Sequence, residues 1–423
     1  MILQSLPLKD QKSKNPMNIL IIHSSFQNEA FVRSEYAELM RMLENEFQAQ
    51  FSILGDDENA VAQWKDSHVT PEFVMTATGG VENLFTHILP YLGSEVKLIA
   101  DGRNNSLAAA LEILSFLTSN FRRGKIIHGS NEEIVKGVKS EMKLLYGLRI
   151  GCFGHPSDWL IDSDVDIFTI EYKYSISVVD INLDRLVEEI NAADEAEALK
   201  VAESCTKKAK ATVEPSNEDM LKAAKTYLAI KKICKEEHLD AMTIRCFDIV
   251  KTCGTTSCLA LALLNDEGIV AGCEGDMQTL ITMILAQRLC GEKAFMANPS
   301  MLRDDRSLLA HCTLPLSMCD AVTLRSHFES SIGVAIQGDL PCADYTLLKW
   351  GGYQLDRFFV TEAQALPIDY SEHFCRTQIL LNANLKSYLL NKTIGNHQVI
   401  IKGRHAEEIR EFMLKNGVEE IQV

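Results

Sequence analysis

Apolar and polar positions along the chain fall into three textures. The run Asn-Ile-Leu-Ile-Ile-His at Asn18–His23 is β-type, and the helical spacing after Ser24 and Ser25 predicts a helix to about Asn45. Apolar runs at Glu72–Ala77 and Val96–Ala100 alternate with helical patterns at Gly80–Tyr91 and Ser106–Ser119. Strands that alternate with helices imply a parallel sheet, because each parallel pairing needs a long crossover. This predicts an N-terminal α/β domain over 17–147, ending near Lys143–Leu148, after a polar flexible tail over 1–16.

A second strand pattern opens at Leu148–Phe153, breaks at Gly154-His155-Pro156-Ser157-Asp158, and passes through Ile167–Ile170 into amphipathic helices between Leu183 and Glu237. Later strands are predicted at Ala241–Arg245, Gly268–Cys273 and Ala294–Met296, with a helix over Met277–Leu289 stopped by Gly291. These make a central α/β domain over 148–301 that carries the candidate metal-site residues. From 302 to 423 the texture changes to short β-type runs at Leu309–Thr313, Gly333–Gln337, Thr346–Leu348 and Arg357–Val360, separated by Gly, Pro and Asp. A closing strand at Val399–Lys402 and a helix at Ala406–Lys415 complete it. The expected fold class is α/β: two Rossmann-like parallel-sheet domains followed by a smaller antiparallel β-rich C-terminal domain.

Composition narrows the function classes. At 423 residues the chain exceeds what one hydrophobic core usually organises, and 46% hydrophobic with 24% charged residues is an ordinary globular balance. A net charge of −16, spread along the chain, argues against nucleic acid or an anionic membrane as partner. No window approaches the roughly 18 apolar residues of a membrane span. Twelve scattered cysteines, several inside apolar runs, with no signal-peptide h-region at the start, predict reduced thiols and a cytoplasmic location.

Candidate chemistry gathers at predicted strand ends. Thr78-Gly79-Gly80 lets a backbone approach a ligand or merely starts a helix, and without a full GxGxxG or Walker pattern a dinucleotide or ATP site is rejected. In Cys273-Glu274-Gly275-Asp276, Asp276 also reads as the cap of the following helix, whereas Glu274 has no such structural explanation. Asn298 precedes Pro299 and equally suits an Asx turn. His311 lies in an apolar strand and His397 in a turn, where a hydrogen-bonded core histidine and a solvated turn residue are the plain alternatives. Together, Glu274, Asn298, His311 and His397 are an oxygen and nitrogen set suited to Mn²⁺ or another divalent cation. His327 and Glu329 of Ser326-His327-Phe328-Glu329, ahead of the Gly333 turn, suit a pocket wall and equally a solvated strand edge, and Arg245, Cys246 and Asp248 at the end of a strand would face the same cleft. Zinc held by cysteines is disfavoured, since no CxxC pair occurs, and serine-hydrolase and HExxH patterns are absent.

Five stretches carry a family resemblance: Thr78-Gly79-Gly80, Asn105–Glu112, Gly154–Leu160 with Trp159, the block Cys258–Met301, and Arg376-Thr377-Gln378 with Gly395-Asn396-His397. With them, nearly the whole chain after Pro16 resembles the fucose isomerase-like branch of the L-fucose/L-arabinose isomerase superfamily. The resemblance implies two α/β domains and a β-rich C-terminal domain, a trimer or hexamer, and Mn²⁺-dependent aldose–ketose interconversion of a small-molecule sugar. It places the metal ligand and acid/base role on Glu274, a second ligand position at Asn298, and histidine ligands at His311 and His397. Asp276, Glu329 or a metal-bound water would supply the second acid/base group; His327, Arg245, Asp248 and Trp159 would line the substrate. Asn298 stands where the isomerases have an acid, and an amide cannot exchange a proton. The expected function is isomerisation of a pentose, deoxyhexose or modified hexose through an enediol. The alternatives are a non-catalytic sugar- or metabolite-binding protein, and a related metal-dependent epimerase or lyase.

Overall fold

The computed structural model describes residues 17–66, 71–92, 95–141, 145, 147–174 and 176–423. The tail expected over 1–16 lies outside them, as does part of the boundary expected at Lys143–Leu148. The chain divides into two compact units, Met1–Met142 and Lys143–Val423.

In the first unit, five strands form a parallel sheet in the order Gln50–Leu54, Asn18–Ile22, Phe73–Thr76, Glu95–Ala100, Arg123–His128. Side chains alternate across a strand, so Ile19 and Ile21 enter one core with Leu39, Leu43 and Met75. Leu20 and Ile22 enter the opposite core with Phe85, Leu98 and Ile113. Both faces are covered, which is why the central strands are continuous apolar runs. The helix Ser106–Ser119 has the expected bounds, while the helix expected to Asn45 is two, Glu29–Glu35 and Ala37–Phe47, meeting at buried Tyr36. Gly79 is explained by close approach: a Cβ there would lie 2.9 Å from Asn105 Cβ.

The second unit holds a four-stranded parallel sheet in the order Val270–Cys273, Ala241–Ile244, Arg149–Phe153, Ser177–Ile181. Ile167–Ile170 does not run extended; it starts the helix Ile167–Tyr174, and Ser177–Ile181 supplies the strand. The C-terminal region is antiparallel. Asp344–Gly351, Gln398–Lys402, Ala294–Leu302, Ser307–His311, Thr377–Leu381 and Arg357–Leu366 pair in that order, and the last pairs with the first, closing a six-stranded barrel. Closure removes the unpaired edges that an open sheet would present. The strand expected at Ala294–Met296 extends to Leu302 and is part of this barrel, not of the parallel sheet.

One helix joins the two layers. Met277–Cys290 is buried almost throughout and packs on the parallel strands Val270–Cys273 and Ala241–Ile244 and on barrel strands Asp344–Gly351, Ala294–Leu302 and Gln398–Lys402. A helix apolar on all sides is one enclosed by protein. Asp276 caps its start, and Gly291, at φ 74°, ends it in the left-handed conformation. No helix among the described residues is long and apolar enough to cross a membrane.

Candidate metal centre

Open parallel sheets offer ligands the carboxyl ends of their strands. Glu274 directly follows the strand Val270–Cys273 there, with a left-handed backbone at φ 62°, and Gly275 follows at φ 76°. For a side-chain-bearing residue that conformation costs about 1 kcal/mol or more. Gly275 has no alternative: a Cβ would lie 2.6 Å from Pro156 Cα and 2.9 Å from the His155 carbonyl oxygen. Ser157 N–H donates to the Glu274 carbonyl at 2.9 Å, so the 154–158 loop and the Glu274 turn hold each other.

The barrel brings two histidines to the same place. His311 ends the strand Ser307–His311, and His397 immediately precedes Gln398–Lys402. Ala294–Leu302 lies between those strands, with Asn298 opposite Ala310 and Ala297 opposite Gln398. Ligand atoms of Glu274, His311 and His397 all fall within 4.8 Å of one another. Glu274 Oε1 is 3.7 Å from His311 Nε2 and 3.5 Å from His397 Nε2, while Oε2 accepts the Trp159 indole N–H at 2.7 Å.

The chemistry of this donor set fits a divalent cation. His397 and His311 are 0% and 4% exposed, yet His397 Nε2 and His311 Nδ1 have no hydrogen-bond partner. Leaving a buried polar atom unpaired costs about 1–3 kcal/mol, so His397 Nε2, 3.5 Å from the buried Glu274 carboxylate, calls for a further binding partner. Two imidazoles and a carboxylate are ligands that suit Mn²⁺, Fe²⁺, Co²⁺ or Zn²⁺.

Behind the cluster, the other nitrogen of His397 is fixed. Nδ1 lies 2.9 Å from Asp276 Oδ2, and Asp276 also accepts from Thr279 N at 2.8 Å and from Thr279 Oγ1 at 2.7 Å. Lys349, fully buried in the strand Asp344–Gly351, donates to Thr279 Oγ1 and lies 3.8 Å from Asp276 Oδ2. Carboxylate–histidine–metal chains of this kind set the ring's tautomer and orientation.

Charge and burial compete at each group. Burial pushes the Glu274 carboxyl up, but the neighbouring His311 and His397 rings prevail and hold it well below the usual carboxylate range. Burial also opposes ionisation of Asp276, yet Lys349 and His397 bring it down to about 2. For His397, burial favours the neutral ring, but Asp276 and Glu274 outweigh it and raise the value to about 9. The Lys349 ammonium is pushed down by its burial, with Asp276 acting in the opposite sense.

The remaining predicted residues take other places. The Asn298 amide oxygen accepts from Asn396 Nδ2 at 3.0 Å. Arg245 is spent on the loop: Nε to Asp248 Oδ2, Nη1 to the Pro156 carbonyl and Nη2 to Asp158 Oδ2, each at 2.7 Å. Trp159 packs edge-on to Phe247 at 4.9 Å, and Phe247 edge-on to His327 at 5.4 Å, forming an aromatic line that starts at Glu274. His327 is buried with Nδ1 3.1 Å from Ser330 Oγ, and Glu329 is exposed on that turn. Sequence reasoning missed Lys349, Thr279 and Phe247. A lysine inside the apolar run Tyr345–Trp350 was the available signal, because a fully buried lysine needs a partner.

No known family model matches the chain. It is 22% identical over 346 residues to the sulfoquinovose isomerase of Alkalicoccus urumqiensis, covering 76% of each protein. It is 26% identical over 163 residues to that of Clostridium sp. (strain MSTE9), covering 37% of this chain and 36% of the relative. Against that of Priestia megaterium (strain ATCC 12872 / QMB1551) it is 24% identical over 212 residues, 47% of each.

Proposed function

We propose that this protein is a divalent-metal-dependent aldose–ketose isomerase acting on a modified hexose, with Glu274, His311 and His397 holding the ion. The observation that carries this reading is His397 Nε2, buried, without a hydrogen-bond partner, and facing the Glu274 carboxylate. The names of the relatives, sulfoquinovose isomerases, agree with it, as does the resemblance to the L-fucose/L-arabinose isomerase superfamily.

Mn²⁺ or a similar ion, when bound, supplies a Lewis acid for the carbonyl and hydroxyl oxygens of an open-chain sugar. The protein's own residues prepare the site. Asp276 holds the His397 Nδ1–H, which points Nε2 at the cluster, where its lone pair becomes available once the Nε2 proton leaves. Asp276 has no oxygen left over, since Thr279 and His397 occupy both, and so it positions. Of the carboxylates singled out in the sequence, Glu274 is the one at the cluster, and we assign it the proton acceptor at C2 as well as a ligand role. Trp159 fixes its Oε2 and forms one wall with Phe247. Arg245 is already paired with Asp158 and Asp248.

Incubation with Mn²⁺ and a panel of aldoses in deuterated water tests the assignment, because an isomerase exchanges the C2 proton with solvent. Glu274→Gln is expected to abolish turnover and the rise in melting temperature on adding Mn²⁺; full activity in that variant would overturn the reading. One observation favours a second reading, a non-catalytic sugar-binding protein: the Asn298 amide cannot exchange a proton and is held by Asn396. That protein would bind a sugar without washing deuterium into it. An epimerase or lyase would exchange deuterium and give a different product.

A further inference from the structure

At the far end of the helix that Asp276 begins, a second set of ligand-type side chains converges. Cys290 is the last residue of Met277–Cys290, His405 caps Ala406–Lys415, and Glu408 lies in the first turn of that helix. One ligand atom from each falls within 4.8 Å of the others, and all three residues are half-buried. We propose that Cys290, His405 and Glu408 bind a second divalent ion of the zinc class, in a structural role separate from the Glu274 centre.

The spacing is that of shared ligands. His405 Nδ1 and Glu408 Oε2 are 3.7 Å apart, too far for a hydrogen bond. Two ligands about 2.1 Å from one tetrahedral zinc lie about 3.5 Å apart. The imidazole is held in this orientation from behind. Gly403 has φ +97°, and a Cβ on it would lie 2.7 Å from His405 Nε2, so that nitrogen rests against the Gly403 backbone and Nδ1 turns to Glu408. His405 N–H donates to Thr346 Oγ1 at 2.9 Å, tying this turn to the barrel. The donors also differ in kind from the first centre. Thiolate, imidazole and carboxylate make a borderline-soft set preferred by Zn²⁺ and Co²⁺.

The location gives the ion a purpose. Asp276 and Cys290 stand at opposite ends of one helix, about 21 Å apart along its axis at 1.5 Å per residue. His397 and His405 flank opposite ends of the strand Gln398–Lys402. An ion between Cys290 and His405 therefore clamps the distal ends of the two elements whose proximal ends position Asp276 and His397.

Cobalt serves as the probe, because a thiolate ligand gives Co²⁺ a near-ultraviolet charge-transfer band that imidazole and carboxylate do not. Equilibrium dialysis of the metal-stripped full-length protein with Co²⁺ should find two ions per chain and this band. Cys290→Ser should lose the band and one ion; Glu408→Gln, further from the buried core, should weaken the band; Glu274→Gln should lose the other ion and keep the band. Absence of the band in the unaltered protein, or its survival in Cys290→Ser, would overturn the proposal. A band kept alongside loss of C2 exchange would count against the isomerase reading alone.

Discussion

Asp276 divides its two oxygens between a helix and a histidine. Oδ1 caps the backbone at Thr279, and Oδ2 takes the Thr279 hydroxyl and His397 Nδ1, with Lys349 close by. Asp276→Asn keeps a capping oxygen but leaves the buried ammonium without its anion. Breaking a buried pair from one side costs about 3–5 kcal/mol, and loss of a carboxylate behind a metal-binding histidine weakens affinity about 10–100-fold. Chemical denaturation and calorimetric Mn²⁺ titration should register both effects; an unchanged affinity would remove Asp276 from the site. His397 carries a pH signature of its own. Its value, raised from 6.5 to about 9 in the ion-free protein, means its contribution to stability is complete below 6.5 and fades as pH rises through about 9. Binding an ion at Nε2 has the opposite dependence, because the proton must leave first. Mn²⁺ affinity should therefore rise with pH toward about 9, with close to one proton released per ion near neutrality. Calorimetry in two buffers of different ionisation enthalpy measures that release, and its absence would contradict ligation by His397.

Elements reveal themselves in sequence where both faces and both ends are marked. Ser106–Ser119 and Met277–Cys290 were legible for this reason: one has a long apolar run, the other has Asp276 at its start and Gly291 at its stop. Gln50–Leu54, Arg123–His128 and Ser177–Ile181 were not, because they are edge strands whose half-exposed side chains give no continuous apolar run. In the candidate centre, Glu274 stood out as a carboxylate beyond a buried strand. The burial of His397 could not be read locally, since it depends on the register of Gln398–Lys402 against Ala294–Leu302, a pairing about a hundred residues apart in sequence. The turn between the strand and the central helix is where a single methyl group should matter most. Gly275→Ala combines a positive φ with backbone contact at Pro156, so we expect a loss of more than about 1 kcal/mol. Displacement of the 154–158 loop should also change the fluorescence of Trp159, whose indole rests on Glu274. Wild-type stability in this variant would mean that the turn relaxes freely.

As a whole molecule, the chain is two compact units with separate cores, and only Lys143–Val423 contains the candidate centre. Scanning calorimetry should resolve two transitions, with Mn²⁺ raising one of them. At a free ion concentration of 100 Kd the gain is about 2.7 kcal/mol. A single transition, or an equal rise in both, would refute independent units. The closed barrel also bears on the order of synthesis. Glu274 and His311 leave the ribosome before His397 does. Until the strand Gln398–Lys402 enters between Asp344–Gly351 and Ala294–Leu302, the barrel has a gap and the third ligand is missing. If the three residues hold a cation, its capture waits for the strand that follows His397, and a polypeptide that stops before His397 carries neither a sealed barrel nor the complete candidate ligand set. Occupancy by the ion would therefore distinguish copies whose barrel has closed around the His397 strand from copies in which it is still open.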